Sequence, residues 1–179
     1  LDYGFAHYTV FLLACKDGDG NIFIEDEHAR RQWLPRQHTN AMLQLLVRHG
    51  LVHHNLDHIF AGADVFSRQS NGRSIADDYR QQYFKLTPAN MDRVNGWAEV
   101  LRRLGDPGAG IRPSLFIHQR CQRLIETLPN LIHDPNRPED VLKVDPDEEG
   151  HGGDDAADAL RYLVATTVPT IKMIRLCGF

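Results

Sequence analysis

The front of this chain is committed to a β-hairpin. Residues 8–15 (YTVFLLAC) form an apolar run of strand-forming side chains. Lys16-Asp17-Gly18-Asp19-Gly20-Asn21 is dense turn chemistry, and Ile22-Phe23-Ile24 begins a second strand. Residues 1–5 read as a short strand before it, or as the start of the same one. From there the pattern alternates. Residues 35–49 carry apolar Ala41, Leu43, Leu46 and Val47 and predict an amphipathic helix, with Gly50 as the stop. Residues 59–63 (IFAGA) predict a buried strand that ends at Asp64. Ser74 and Asp77 have capping-box spacing, which predicts a helix from 75 to about 82. A strand is expected at 83–86, a helix at 90–104 closed by Gly105, a strand at 114–117 and a helix at 119–128 halted by Pro129. Residues 134–153 are rich in Pro, Gly and acid, a loop with a short strand at 141–144. Residues 154–166 form a last helix. A leading hairpin followed by alternating elements predicts an α/β fold: a mixed sheet with helices on both faces, its site at the carboxyl ends of central strands.

The 179 residues suffice for one domain, expected over 1–167, with 168–179 as a C-terminal tail that alternates like a strand or binds a partner. No stretch is long and apolar enough to span a membrane. The chain has no initiator Met, so a piece of a longer protein is expected. Three sparse cysteines, Cys15, Cys121 and Cys177, argue against a disulfide framework and for a reducing, intracellular setting; Cys121 is expected to be buried. The net charge of −4 is unevenly placed. Residues 138–158 hold nine acids and one base, Lys143, while the rest holds 19 bases against 15 acids. Such a distribution suits an enzyme that uses cations to act on a polyanion, and it equally suits a solvated acidic loop.

Three acidic positions stand out. Asp2 lies in the first strand-like segment. Asp64 ends the strand IFAGA, although aspartate is a poor strand former. Asp154, Asp155 and Asp158 open the last helix, with 158 on the same face as 154 and 155. Each also has a local explanation: Asp154 caps a helix, and Asp64 begins a turn. Converged, they offer the hard oxygen ligands that Mg²⁺ and Mn²⁺ prefer. Two such ions at about 3.5–4 Å separation activate water and stabilise a leaving oxygen in phosphodiester cleavage.

The opening Leu1-Asp2-Tyr3-Gly4-Phe5, the segment Ala61-Gly62-Ala63-Asp64-Val65-Phe66, and the run from Gly152-Gly153-Asp154-Asp155 to Asp158-Ala159-Leu160-Arg161-Tyr162 resemble the C-terminal nuclease domain of phage terminase large subunits. The resemblance spans Asp2 to about Ala165 and is most specific in the last block. It implies an RNase H-like endonuclease that cuts concatemeric double-stranded viral DNA with two Mg²⁺ or Mn²⁺ ions. It also implies catalytic roles for Asp2, Asp64 and Asp155 and metal ligation by these three with Asp154 and Asp158. Lys143 resembles a lysine that faces the DNA or the site, and Asp145 is a weaker candidate ligand. The implied partners are DNA, an N-terminal ATPase domain of the same protein, the small terminase subunit and the portal protein. The implied setting is the cytoplasm of a bacterial host, for a phage or prophage. Two departures stand against the pattern. Gly153 precedes the paired acids where many relatives have His, leaving His151 as a solvated loop residue, and no G-x-x-x-x-G-K-[ST] motif occurs, so this segment has no ATPase of its own.

Arg68, Arg73, Arg80, Lys85 and Arg93 follow the Asp64 strand and are candidates for phosphate contact, Arg68, Arg73 and Lys85 first among them. Arg102 and Arg103 read as helix-surface charges. Asp17-Gly18-Asp19-Gly20-Asn21 lacks the later ligands of a Ca²⁺ loop, and His53, His54 and His58 lack a fourth zinc ligand. Rival readings are a junction resolvase, an RNA–DNA hybrid nuclease, or an inactive prophage remnant serving as a docking module.

Overall fold

A computed structural model describes residues 1–166 of the chain. In order, its elements are β1 (Thr9–Lys16), β2 (Ile22–Arg30), α1 (Pro35–Arg48), β3 (Ile59–Ala61), α2 (Ile75–Gln81), β4 (Leu86–Pro88), α3 (Arg93–Leu104), β5 (Leu115–Ile117), α4 (Gln122–Thr127), β6 (His133–Asp134), β7 (Arg137–Val141) and α5 (Asp155–Thr166). The hairpin β1–β2 is antiparallel, and β5 joins β2 in parallel. Strands β3 and β4 pair in parallel. The two groups are stitched together by the start of the chain. Asp2 and Val10 exchange backbone hydrogen bonds of 2.9 and 2.8 Å, and the Leu1 nitrogen donates to the Phe60 carbonyl at 2.6 Å. Residue 2 is thereby held between β1 and the end of β3.

Alternation along β1 builds two cores. Val10 faces a cluster with Ile22 and Ile24 of β2, Trp97 and Val100 of α3, Leu124 of α4 and Leu160 of α5. Phe11 and Leu13 face the other way, onto Met42, Leu45, Leu46, Tyr79 and Phe84, which belongs to α1, α2 and the turn after it. Period-two side-chain alternation thus puts helices on both faces of the sheet, as expected. Helix α5 is buried nearly all round, and Ala156, Ala157 and Ala159 let it lie close against the sheet. On its α3 side, a Cβ at Gly96 would stand 2.8 Å from Arg161 Cγ, so only glycine allows the two helices to approach there.

Several boundaries differ from expectation. The strand expected at 83–86 is displaced to Leu86–Pro88, because Tyr83 takes φ 69° and Phe84 N–H returns to the Tyr79 carbonyl at 3.0 Å, a helix-ending turn. The strand expected at 141–144 lies earlier, at Arg137–Val141, paired with β6. Helix α3 starts at Arg93, where the Asp92 side chain accepts from Asn95 N–H. The tail from 168 onward, with Cys177, lies outside the described residues.

Candidate metal centre

Three elements carry acids toward one end of the sheet. Asp2 lies on the stitch between β1 and β3. Asp64 lies three residues past the end of β3, in a short 3₁₀ turn (Ala63–Phe66), and is exposed. Asp154, Asp155 and Asp158 are buried at the start of α5. The turn at Gly62 is tight: a Cβ there would be 2.8 Å from Asp64 Oδ1 and 3.2 Å from the Tyr162 hydroxyl. Asp64 and Tyr162 of α5 therefore flank the same small space.

The electrostatics show which acids share an environment. Burial pushes the Asp2 carboxyl up to about 8, and the negative charges of Asp158 and Asp155 push it further in the same direction. Burial also raises Asp155, with Asp154 as the next cause. Asp154 is raised by burial against the opposing pull of Lys143. The Tyr162 hydroxyl is raised by burial and by Asp2, Asp158 and Asp64. Asp2 thus lies within electrostatic reach of Asp155 and Asp158, and the Tyr162 hydroxyl within reach of Asp2, Asp158 and Asp64. Buried carboxylates that repel one another in this way are undercompensated.

A bound cation would supply the compensation. The Oδ2 atoms of Asp154 and Asp155 are buried and accept no hydrogen bond among the described residues. Their nearest cations are Lys143 Nζ at 3.6 Å and an Arg123 guanidinium nitrogen at 3.8 Å. Buried polar atoms are normally paired, and hard carboxylate oxygens left open suit Mg²⁺ or Mn²⁺. The donor chemistry suits such an ion, while among the described residues no three acid, histidine or cysteine side chains are grouped to hold one.

Asp158 differs from its neighbours. It is 1% exposed and is surrounded by Lys143 Nζ at 2.9 Å, Arg161 Nε at 3.0 Å and Arg93 at 3.3 Å. Arg93 also clasps Asp140 at 2.9 Å. Lys143 is carried there by the segment after β7, which docks on α5 where Asp154 N–H donates to the Val144 carbonyl at 3.1 Å. Burial alone would lower the Lys143 ammonium, but the hydrogen bond to Asp158 raises it, so it stays charged. On the other flank, buried Arg123 stacks over the Tyr8 ring at 3.5 Å and donates to the carbonyls of Gly150 and Gly152. It fixes the glycine-rich approach to Asp154 and Asp155.

The remaining sequence candidates divide. Arg68 and Lys85 are exposed, and Arg73 pairs with Asp78 at 2.6 Å on the surface. Arg93 is not a loop cation; it belongs to the acid cluster, because α3 begins at that residue. Arg103 is not a surface charge. It is 9% exposed and joins Glu99 to the Gly20 carbonyl. Asp145 is exposed and 3.6 Å from His7, and His151 pairs with Asp147 and Glu149 on the surface. Cys121 is buried as expected. Sequence reasoning missed Arg123 and Arg161. Arg161 had a signal, an arginine within an otherwise small and apolar helix at i+3 from Asp158; Arg123 had none.

No protein-family profile and no curated protein matches the chain. Among solved structures, the fold matches the nuclease domain of the P22 large terminase with a TM-score of 0.63, over 92% of this chain and 77% of that one, at 18% identity. The chain has the RNase H-like α/β fold, in the form seen in a terminase nuclease domain.

Proposed function

We propose that this chain is the nuclease domain of a phage terminase large subunit, a Mg²⁺- or Mn²⁺-dependent endonuclease that cuts double-stranded DNA during genome packaging. One observation carries the reading: the buried Oδ2 atoms of Asp154 and Asp155 lack a hydrogen-bond partner, near an Asp2 carboxyl that burial and the charges of Asp158 and Asp155 push upward, on the fold of a known terminase nuclease domain. Asp2 and Asp155 would hold the cation, with Asp154 beside them and the exposed Asp64 at the rim. Such an ion supplies an activated water and charge for the departing 3′ oxygen. Burial does the protein's part, since a dry wall strengthens each carboxylate–cation interaction. Arg123 holds the loop that leads into Asp154 and Asp155, and Gly62 leaves room for the Asp64 carboxylate. The exposed Arg68, Arg73 and Lys85 meet the phosphates. The partners of such a domain are an ATPase domain of the same protein, the small subunit and the portal, in the host cytoplasm.

The test is plasmid cleavage in Mn²⁺. Asp64 is exposed, so Asp64→Asn is expected to abolish cutting while leaving the melting temperature unchanged. Cutting at the wild-type level by that variant would end the proposal.

A further inference from the structure

Residues 28–56 hold four arginines, five histidines and no acid, in a chain with 24 acids; the other 16 of its 20 bases face those acids elsewhere. The run forms the end of β2, the turn after it and all of α1. Two of its arginines are occupied. Arg48 pairs with Asp26 at 3.0 Å, and Arg31 donates to the carbonyls of Asp147 and Glu148. Arg30 and Arg36 are exposed, and neither forms an ion pair among the described residues; Arg30 donates only to the carbonyl of its neighbour Ala29.

Strand alternation puts both free arginines on one side of the sheet. Asp26 and His28 reach α1, through Arg48 at 3.0 Å and His38 Nδ1 at 2.9 Å, and Arg30 continues their side of β2. Along α1, Arg36, Gln37, Asn40 and Gln44 are exposed together, at spacings that share a helical face. Guanidinium and amide side chains are those that hydrogen-bond phosphate oxygens. The 14 residues of α1 extend about 21 Å, the axial length of about six base pairs. The face starts beside the candidate metal centre. Tyr3, the residue after Asp2, sets its ring edge-on to His38 of α1 with centroids 6.3 Å apart. Gln32 N–H donates to the Phe5 carbonyl at 2.7 Å, and Phe5 is three residues from Asp2, at most about 11 Å along the chain.

We propose that Arg30, Arg36 and the amide-bearing face of α1 form a track that holds the phosphate backbone of duplex DNA and leads it to Asp2. The inference rests on the nuclease reading above, and it adds a surface that the sequence candidates Arg68, Arg73 and Lys85 did not include. A net charge of −4 works against contact with a polyanion, so an acid-free face is where a duplex approaches without that repulsion. Arg30 and Arg36 supply charge near the acids, and Asn40 and Gln44 supply hydrogen bonds further along.

Binding is read apart from cutting. A short fluorescein-labelled duplex is titrated with metal-free protein in chelator, and fluorescence anisotropy gives the affinity from roughly 50 to 200 mM KCl. Each phosphate contact contributes about 0.9 to the slope of log affinity against log salt, so Arg30→Ala/Arg36→Ala is expected to lower that slope by about 1.8. Its loss of affinity relative to the wild type is then about 12-fold greater at the low-salt end than at the high-salt end. Asn40→Arg adds a contact and is expected to raise the slope by about 0.9. Arg102→Ala/Arg112→Ala, which removes two exposed arginines around the end of α3, should leave the slope as it is. An unchanged slope in folded Arg30→Ala/Arg36→Ala would overturn the inference, as would an equal loss in the α3 variant or a wild type that binds no duplex at the lowest salt. Plasmid cleavage by the wild type in Mn²⁺ would leave the nuclease reading standing in each of those cases, and its absence would remove that reading as well. Arg30→Gln/Arg36→Gln serves if the alanine variant does not fold.

Discussion

Replacing Asp2 by asparagine is expected to stabilise the metal-free domain and to abolish its response to metal. A carboxyl that titrates at about 8 rather than 3.8 is protonated in the folded protein at pH 7 but ionised in the unfolded chain. The difference costs folding about 4 kcal/mol at pH 7, at 1.36 kcal/mol per pH unit. Relaxation of the pocket lowers this, so a gain of about 2–4 kcal/mol is expected from the neutral isostere. In a domain of this size that raises the melting temperature by roughly 4–16 °C. Thermal melts in chelator and in Mn²⁺ provide the assay. In chelator the variant should melt above the wild type. At an Mn²⁺ concentration 100-fold above its dissociation constant, the wild type should gain about 2.7 kcal/mol and the variant nothing. A variant that melts below the wild type in chelator would refute the claim that Asp2 stands in an undercompensated acidic pocket. A variant that still gains stability from Mn²⁺ would refute its role as a ligand.

Three further outcomes rest on the charges of this cluster. Mn²⁺ affinity should climb about tenfold per pH unit up to about pH 8 and flatten above it, because the ion displaces the Asp2 proton; affinity flat between pH 6 and 8 would contradict this. The raised carboxyl also dictates the sign for stability: its contribution is fully present below the unfolded value of 3.8 and is lost as pH rises through about 8, so chelated protein should melt progressively lower across that window. Arg161→Met should destabilise the fold by about 2–3 kcal/mol in denaturant titration, since Asp158 keeps Lys143 and Arg93 and so escapes the full 3–5 kcal/mol of a stripped buried pair. A loss under about 0.5 kcal/mol, the size of an ordinary surface substitution, would show that Arg161 is not needed there.

Much of the fold was legible because hydrophobic period and turn chemistry are local. The hairpin turn is closed by Asp17 carboxylate bonds to Asp19 and Asn21, and the Ser74–Asp77 box forms as spaced. What failed was set by distant contacts. Nothing near Tyr83 announces a positive φ; the Phe84 side chain, fully buried beside Tyr79, pulls the chain into it. Of the site, the acids of α5 were legible from their placement on the helix, and Asp64 from an aspartate closing an apolar strand. The cations were not. Arg93, Arg123 and Lys143 come from separate elements, and the meeting of Arg93 and Lys143 at one carboxylate is visible only once α3 and the segment after β7 pack on α5.

The acids at the head of α5 are set apart by helix geometry. At 3.6 residues per turn, positions 154 and 161 project within about 20° of each other, as do 155 and 162, while the two pairs are about 100° apart and 158 lies between them. One edge of α5 therefore presents Asp154 and Arg161 toward Arg93 and Lys143, and the other presents Asp155 and Tyr162 toward Asp2 and Asp64. Asp158 faces both and is drawn to the cationic edge, where it is held at 3.0 Å by Arg161. Burial first, then the charges of Asp158 and Asp155, raise the Asp2 carboxyl, and of the cations on that edge only Lys143 pulls against them, too weakly to offset the rise.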